Sequence, residues 1–478
     1  MTRGCRHRMS GFRYRLAAGV VLLGLVGCQT VSVEEELTSL NRRMGPLPAA
    51  LQASERASLA QDAQPRVAEL LAAPLTQTGA VELVLIHSPA WQAMLSSGLA
   101  SINEAQQAGR LSNPVFAYER MRSVDERELA RMLSVGVLDI LLWPQRRAQA
   151  TALSEAARWQ LADNAIKEIT SVRNAWVSAV AAEQRLGYAR DVLLSAEASA
   201  ELARRMQAAG NFNRLAQIRQ QLFESQARAE LAAAEQERLA RRESLIRHLG
   251  LDERQAAELR LPDTLPGLPA ERITPERIAE RVLTDRVDVA LAEARFQAAA
   301  RGEGLTRVTS LIDVEYTRRR DTVTQASGDV ERISGGEWEI VLPIFDLGEL
   351  RRGAASRRAI AAANDLQATL RAASSHLRES YAQYRNSLAV AELYLQEVIP
   401  LRKQASEETL LRYNAMLIGV FELLADAREQ RNLVMQSISA QEQFWLAEAG
   451  LQAAMLGQPV QGSVWRAGAA TVSSEPGH

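Results

Sequence analysis

Carboxylates are the residues whose types and spacing could do chemistry in this chain. Asp313 and Glu315, and again Glu337 and Glu339, stand two apart, so on a strand each pair projects to one side of a sheet. Glu422 and Asp426 stand four apart, one turn along a helix face. Asp125, Glu126 and Glu128 cluster in a turn, while Glu155, Asp163 and Glu168 fall on a long helix; these read as solvated or inter-helix charges. Nothing beside the acids makes them catalytic. There are two cysteines, Cys5 and Cys28, and five histidines, no two at a metal-ligand spacing. The chain has no glycine loop to cradle phosphate and no nucleophile set beside a base. A net charge of −1 leaves no polybasic footprint for nucleic acid. The pattern points away from an enzyme, a metal centre or a cofactor, and towards electrostatic surfaces.

The front of the chain is an address. Arg3, Arg6, Arg8, Arg13 and Arg15 precede an apolar run over 16–27, shorter than the about 20 residues of a spanning helix and suited to a signal-peptide core. Its end, Leu25-Val26-Gly27-Cys28, resembles the lipobox of bacterial lipoproteins. That resemblance implies cleavage before Cys28, acyl chains on its thiol and amino group, and sorting to the outer membrane, because Gln29 and not aspartate follows. An ordinary secretory signal with an incidental cysteine is the alternative, and either Met1 or Met9 can serve as the start. Cys5 leaves with the signal, so the mature chain forms no internal disulfide. No second apolar run reaches spanning-helix length, so any membrane crossing falls to strands closed into a barrel.

The elements that must position the acids are spelled twice, the mark of a unit that buries its apolar face on its neighbour. Ser88-Pro89-Ala90 parallels Arg286-Val287-Asp288, Arg146-Arg147 parallels Arg351-Arg352, and Leu249-Gly250 parallels Leu456-Gly457. The offset drifts upward, which fits insertions around the strands. The first copy, 80–250, reads as a helix, a strand pair within 113–142 (115–120 and 132–141), a long helix over 145–209 and a return helix over 211–250. Ile169, Val172, Trp176 and Val180 give the long helix its stripe. Residues 251–275, with four prolines, form a linker. The second copy, 276–457, holds a helix, a strand pair within 311–342, a long helix over 346–414 and a return helix over 418–457. Ile312, Val314 and Tyr316 alternate with Asp313, Glu315 and Thr317, and Trp338 and Ile340 with Glu337 and Glu339, so the strands should be acidic on one face and apolar on the other. Leu366, Leu370, Ala373, Leu377, Tyr381, Tyr384, Leu388, Ala391, Leu395 and Val398 give the second long helix a near-heptad stripe that asks for coiled-coil-like neighbours. Residues 28–79 read as an extended segment and 458–478 as a flexible tail.

Helix lengths suggest a tube. A long helix of about 64 residues spans about 95 Å, and each return helix falls short by roughly the length of the helix preceding the other copy's strands, which is expected to continue it. The class is mainly α, a long helical tunnel with a small β-barrel portion.

From about 75 to 457 the chain resembles the TolC family of outer-membrane efflux proteins. The matching phrases are Pro74-Leu75-Thr76, Ala80-Val81, Ser88-Pro89-Ala90, Gly109-Arg110-Leu111-Ser112-Asn113-Pro114, Arg286 with Asp288-Val289, Leu342-Pro343-Ile344-Phe345-Asp346, Val398-Ile399-Pro400 and Arg412-Tyr413. The resemblance implies a homotrimer in which each protomer gives four strands to a twelve-stranded barrel in outer-membrane lipid. It also implies a periplasmic adaptor and an inner-membrane pump as partners. It implies a gate at the periplasmic tip, with Glu422 and, less directly, Asp426 as pore acids and Tyr413 as a tie between helices. Tips at Gly210, Asn211, Met416 and Gly419 would meet the adaptor. Val287 and Met416 depart from the family, which often has proline and glycine there. A periplasmic adaptor, or a structural coiled-coil lipoprotein, is the competing reading. An adaptor would carry one helical hairpin and a larger all-β portion.

Overall fold

The computed structural model describes residues 33–44, 64–274 and 286–458. Cys28, the beginning expected for the second copy and most of the tail lie outside the described residues. The stretch expected to be extended instead carries two helices, α1 (Val33–Met44) and α2 (Gln64–Ala72). Val33, Leu37, Leu40 and Met44 recur at steps of four, three and four, the period of a helix with one apolar face, and Leu37 is buried; the stripe is short enough to be lost in the polar stretch around it. Then follow α3 (Gln77–His87), α4 (Pro89–Gln107), β1 (Val115–Arg122), β2 (Glu126–Gly136), α5 (Val137–Leu141), α6 (Trp143–Ala208) and α7 (Arg214–Leu249). The linker contains a short helix, α8 (Glu253–Glu258), closed by a capping box between Asp252 and Gln255. The second copy is α9 (Val287–Thr309), β3 (Asp313–Gln325), β4 (Val330–Val341), α10 (Glu349–Leu393), a π turn (Tyr394–Val398), α11 (Ile399–Asn414) and α12 (Val420–Met455).

The two copies correspond element by element. Their offset is 198 at the starts of α4 and α9 and 206 at the starts of α6 and α10, so all but the last residue of the drift to 207 at Gly250 and Gly457 accrues in the strand-preceding helix and the hairpin. Several strand boundaries differ from the sequence pattern, β1 running on to Arg122 past the expected 120. β2 starts six residues earlier than the expected 132, and residues 137–141 coil into α5. β3 and β4 run on through Gln325 and Val330, past the point where arginines interrupt the alternation.

In each copy the return helix is continued by the helix that opens the same copy, not the other one. Gly250 ends α7 in the left-handed conformation (φ 71°) and abuts Ser88 and Pro89 at the start of α4. Gly457 ends α12 (φ 103°) and abuts Asp288 at the start of α9, where the Val287 amide donates to the Leu456 carbonyl at 3.0 Å. Length could not choose between the pairings, because α4 and α9 have 19 and 23 residues. The glycine caps decide it. A Cβ would lie 2.6 Å from Pro89 Cδ or 2.5 Å from Asp288 Oδ1, so only glycine allows the chain ends this close. Arg286 locks the second joint: its guanidinium donates to both Asp288 carboxylate oxygens at 3.0 and 2.7 Å, and to the carbonyls of Ala373 and Ala454.

The result is a curtain of four helical strips in the order α4–α7, α6, α9–α12 and α10–α11. α6 lies between two strips, so it is buried on more than one side. Val172, Trp176 and Val180 are buried as their stripe predicts, and so are Ala162, Ala179, Ala181 and Ala182. α10 is an edge strip. Its stripe is covered at Ala373, Leu377, Tyr384, Leu388 and Ala391, whereas Leu370 stays exposed. Midway along, α2, α3 and the linker form a buttress. Leu83, Val84 and Leu85 are fully buried, each worth about 1.5–3 kcal/mol, and the Trp176 indole donates to the Leu75 carbonyl at 2.8 Å. The π turn precedes Pro400, whose missing N–H and ring disfavour a regular turn there.

If the two glycine joints set the length and straightness of the strips, Gly250→Ala and Gly457→Ala should each lower stability by at least about 1–2 kcal/mol, the cost of a left-handed alanine. Gly187→Ala, in the middle of α6 with open space around it, should gain about 0.5–1 kcal/mol. Thermal unfolding in detergent measures all three, and equal shifts would deny the joints any special role.

Candidate functional site

The four strands form one antiparallel sheet in the order β1-β2-β3-β4. Register fixes which side chains share a face. Glu315 lies opposite Glu339, Thr317 opposite Glu337 and Asp313 opposite Val341, so all four predicted acids occupy one face. Glu119, Glu126, Glu128, Asp321 and Glu331 fall on the same face through the registers of β1, β2 and β4. Ala130 and Asp321 are buried among these side chains, and Ser134 and Thr317 share a hydrogen bond of 2.7 Å. Arg319 is the one basic residue on this face. It pairs with Asp321 at 2.7 Å and Glu128 at 3.3 Å.

The opposite face begins apolar. Val314, Tyr316, Trp338 and Ile340 share it with Phe116, Leu133 and Val135. Tyr316 and Trp338 meet at 4.8 Å between ring centroids, with Tyr316 lying over Gly336. Towards the hairpin turns the same face becomes arginine: Arg120 and Arg122 on β1, Arg127 and Arg131 on β2, Arg318 and Arg320 on β3, and Arg332 on β4. The acids and the aromatics are legible in the apolar-to-acidic alternation, but these arginines are not, because that alternation stops at Thr317. Continuing the period of two past that point finds them.

The far ends of the helical hairpins are built alike. After α6, the Gly210 amide donates to the Gln207 carbonyl and Asn211 to Met206; after α11, Met416 donates to Tyr413 and Leu417 to Arg412. Gly210 (φ 76°) and Met416 (φ 60°) take the same left-handed position. Asn213 caps α7 by accepting from the Ala216 amide at 2.7 Å, and Gly419 stands at the equivalent place before α12. Asn211 is exposed, as are Met416 and Leu417.

The three gate candidates separate. Glu422 is exposed in the first turn of α12. Asp426 is held inside the hairpin by Arg402 at 2.5 Å and by Ser406 at 2.7 Å. It therefore braces α11 against α12 within the chain. Tyr413 is half-buried, and its hydroxyl makes no hydrogen bond among the described residues. Nearer the buttress, α6 and α12 share further polar contacts. Arg185 pairs with Glu442, Arg173 bonds Gln452 and Gln452 bonds Glu448. Burial pushes the Glu448 carboxyl up and the Arg173 guanidinium down, each offset by the other's charge. Among the described residues no group of histidine, cysteine and carboxylate side chains could hold a metal ion, and no helix is long and apolar enough to cross a membrane. Asp426→Ala would take from the buried Arg402 its closer carboxylate and leave it only the exposed Glu429 at 3.2 Å, so the α11–α12 hairpin should lose about 2 kcal/mol of local stability. Faster hydrogen exchange confined to that hairpin is the expected result.

No protein-family model and no curated protein matches the chain. Solved structures do. A membrane protein from Pseudomonas aeruginosa is 20% identical, with a TM-score of 0.65 over 79% of this chain and 93% of its own. The outer membrane protein VceC from Vibrio cholerae is 17% identical, with a TM-score of 0.64 over 80% of this chain and 96% of its own. The MtrE outer membrane channel of Neisseria gonorrhoeae, solved in its open state, is 18% identical, with a TM-score of 0.62 over 79% and 88%. A helical curtain in four strips, hung from a four-stranded sheet, gives this chain the fold of the TolC-like outer-membrane channels.

Proposed function

We propose that three copies of this chain form a conduit from the periplasm across a bacterial outer membrane, serving as the channel of a tripartite export system. The observation that carries this reading is that the protomer is open at both edges, in both layers. β1 and β4 each have one unpaired side, and the helix edges expose Leu215, Ile218, Leu222 and Leu239 on α7 and Ile360, Leu370 and Leu393 on α10. Four strands cannot close on themselves. Twelve can: at about 4.8 Å spacing and about 40° tilt they make a cylinder about 24 Å across. Its acidic face would line the lumen and its aromatic face would meet lipid, since the reverse puts carboxylates in hydrocarbon. The fold shared with outer-membrane channels supports the same arrangement. Two helical hairpins and one small sheet do not suit the adaptor reading.

In this arrangement the hairpin tips at Gly210, Asn211, Met416 and Gly419 point into the periplasm and meet an adaptor bound to an inner-membrane pump. Glu422 from three chains would converge there as a carboxylate ring, and Tyr413, whose hydroxyl makes no hydrogen bond among the described residues, could tie a neighbouring chain. The lipid anchor at Cys28 fits the reach of the chain. Arg158, which grips Glu36 of α1, stands about 22 Å along α6 from the sheet, and the chain from Cys28 to Glu36, whose last three steps are coiled in α1, can span about 21 Å. A Cys28→Ser variant should lose metabolic palmitate label; label retained in that variant sinks the anchor.

The deciding experiment is single-channel recording of the purified protein in planar bilayers. Stepwise conductance with cation preference is expected, since an adaptor or a structural coiled coil would not conduct. Replacing Asp313 with Asn and Glu315, Glu337 and Glu339 with Gln should lower the cation-to-anion permeability ratio several-fold. An unchanged ratio would put the acidic face elsewhere than the lumen.

A further inference from the structure

We infer that the outward face of the barrel binds the phosphates of the glycolipid in the outer leaflet through its arginine belt. The inference rests on the channel reading, which turns the hairpin tips to the exterior. Within the strands every carboxylate lies on one face and seven of the eight arginines on the other. All seven are exposed, and none forms an ion pair among the described residues. Register also sets like charges side by side, with Arg131 opposite Arg320 and Arg122 opposite Arg127. Directly opposed like charges destabilise a sheet. The arrangement therefore needs an anion from outside the chain.

The height of the belt identifies that anion. Below it, the outward face is apolar from the level of Ile312 and Leu342 up to that of Phe116 and Leu133, about 20 Å of strand or about 15 Å of bilayer at a tilt near 40°. Exposed Ile140, Leu141, Ile344, Phe345 and Leu347 extend the band below the sheet towards the about 25 Å of an outer-membrane barrel. Arg318 stands at the upper edge of this band, and the Arg131–Arg320 level follows one step higher. An arginine facing lipid at mid-bilayer costs about 2–4 kcal/mol, falling to about 0–1 near the interface, so the belt marks the headgroup layer. The guanidinium fork binds phosphate through paired hydrogen bonds, and the neighbouring arginines offer several forks to one headgroup.

The test uses the purified full-length protein in detergent with a fluorescent outer-leaflet glycolipid, phosphorylated or enzymatically dephosphorylated. Wild type should bind the phosphorylated form at least tenfold more tightly. A variant carrying Arg120→Gln, Arg131→Gln, Arg318→Gln and Arg320→Gln should lose that preference while still conducting in bilayers. Replacing the same four with lysine keeps the charge and loses the fork, so an intermediate preference is expected; that variant carries the test if the glutamine variant does not assemble. Equal binding of the two lipids, a preference undiminished in both variants, or displacement by inorganic phosphate at the concentration of the lipid would overturn the belt. Wild type that conducts without preferring the phosphorylated lipid refutes this inference alone, whereas wild type that never conducts refutes the channel.

Discussion

The fold depends on two places where a helix ends head-on against the start of another. A return helix of 36 residues cannot match a 66-residue neighbour, and a break in one strip would leave a gap in the curtain. The left-handed glycines at 250 and 457 remove the obstacle. They end their helices abruptly and leave no side chain between the two chain ends, so separate helices act as one strip. The Arg286–Asp288 pair adds direction to the second joint, because its guanidinium also fastens the neighbouring α10 and the end of α12. With the strips continuous, the sheet hangs from four points in the order the helices dictate, and each of its two faces keeps a fixed side.

Much of this was legible in the residues. Internal repetition, both long helices and the acidic strand face followed from spacing, because periodicity reports directly on which side of an element is buried. The pairing of helix ends was not legible. It depends on contacts between segments some 160 residues apart, and two helices of similar length satisfy the same arithmetic. The short helix at 137–141 escaped because five residues, four apolar about Asp139, suit a strand or a helix equally, and neighbours decide. Asp426 shows the limit of reading sites from sequence. Four residues from Glu422 it looks like that residue's companion, but Arg402 and Ser406 on the facing helix draw it into the hairpin. Glu422 has no such partner on α11 and stays in water.

The sheet carries its charge as a sorted pair of faces. Sorting of this kind has no value to a sheet in water, where intermixed charges would lower its self-repulsion. It has value where the two faces meet different media. A lumen tolerates a concentration of carboxylates because water and mobile cations fill it. The outer surface must be apolar through the hydrocarbon and can be charged only above it. The covered midsection of the helices, buttressed by α2, α3 and the linker, keeps the strips parallel while both ends stay free to meet other molecules.

The tips of the hairpins repeat one backbone turn with two different residues, glycine at 210 and methionine at 416. In a ring of three chains these turns make six stations at almost equal angles, so by backbone shape the lower rim has nearly six-fold symmetry. Its chemistry does not. Stations alternate between a bare backbone beside Asn211 and a pair of protruding apolar side chains, Met416 and Leu417, 93% and 74% exposed. A partner seated on this rim can rotate by 120° and find the same surface, but a rotation of 60° exchanges polar for greasy contacts. In such a ring duplication would supply the six-fold frame, and divergence at two adjacent turn positions would reduce it to three-fold, giving the rim a rotational register that shape alone would not provide.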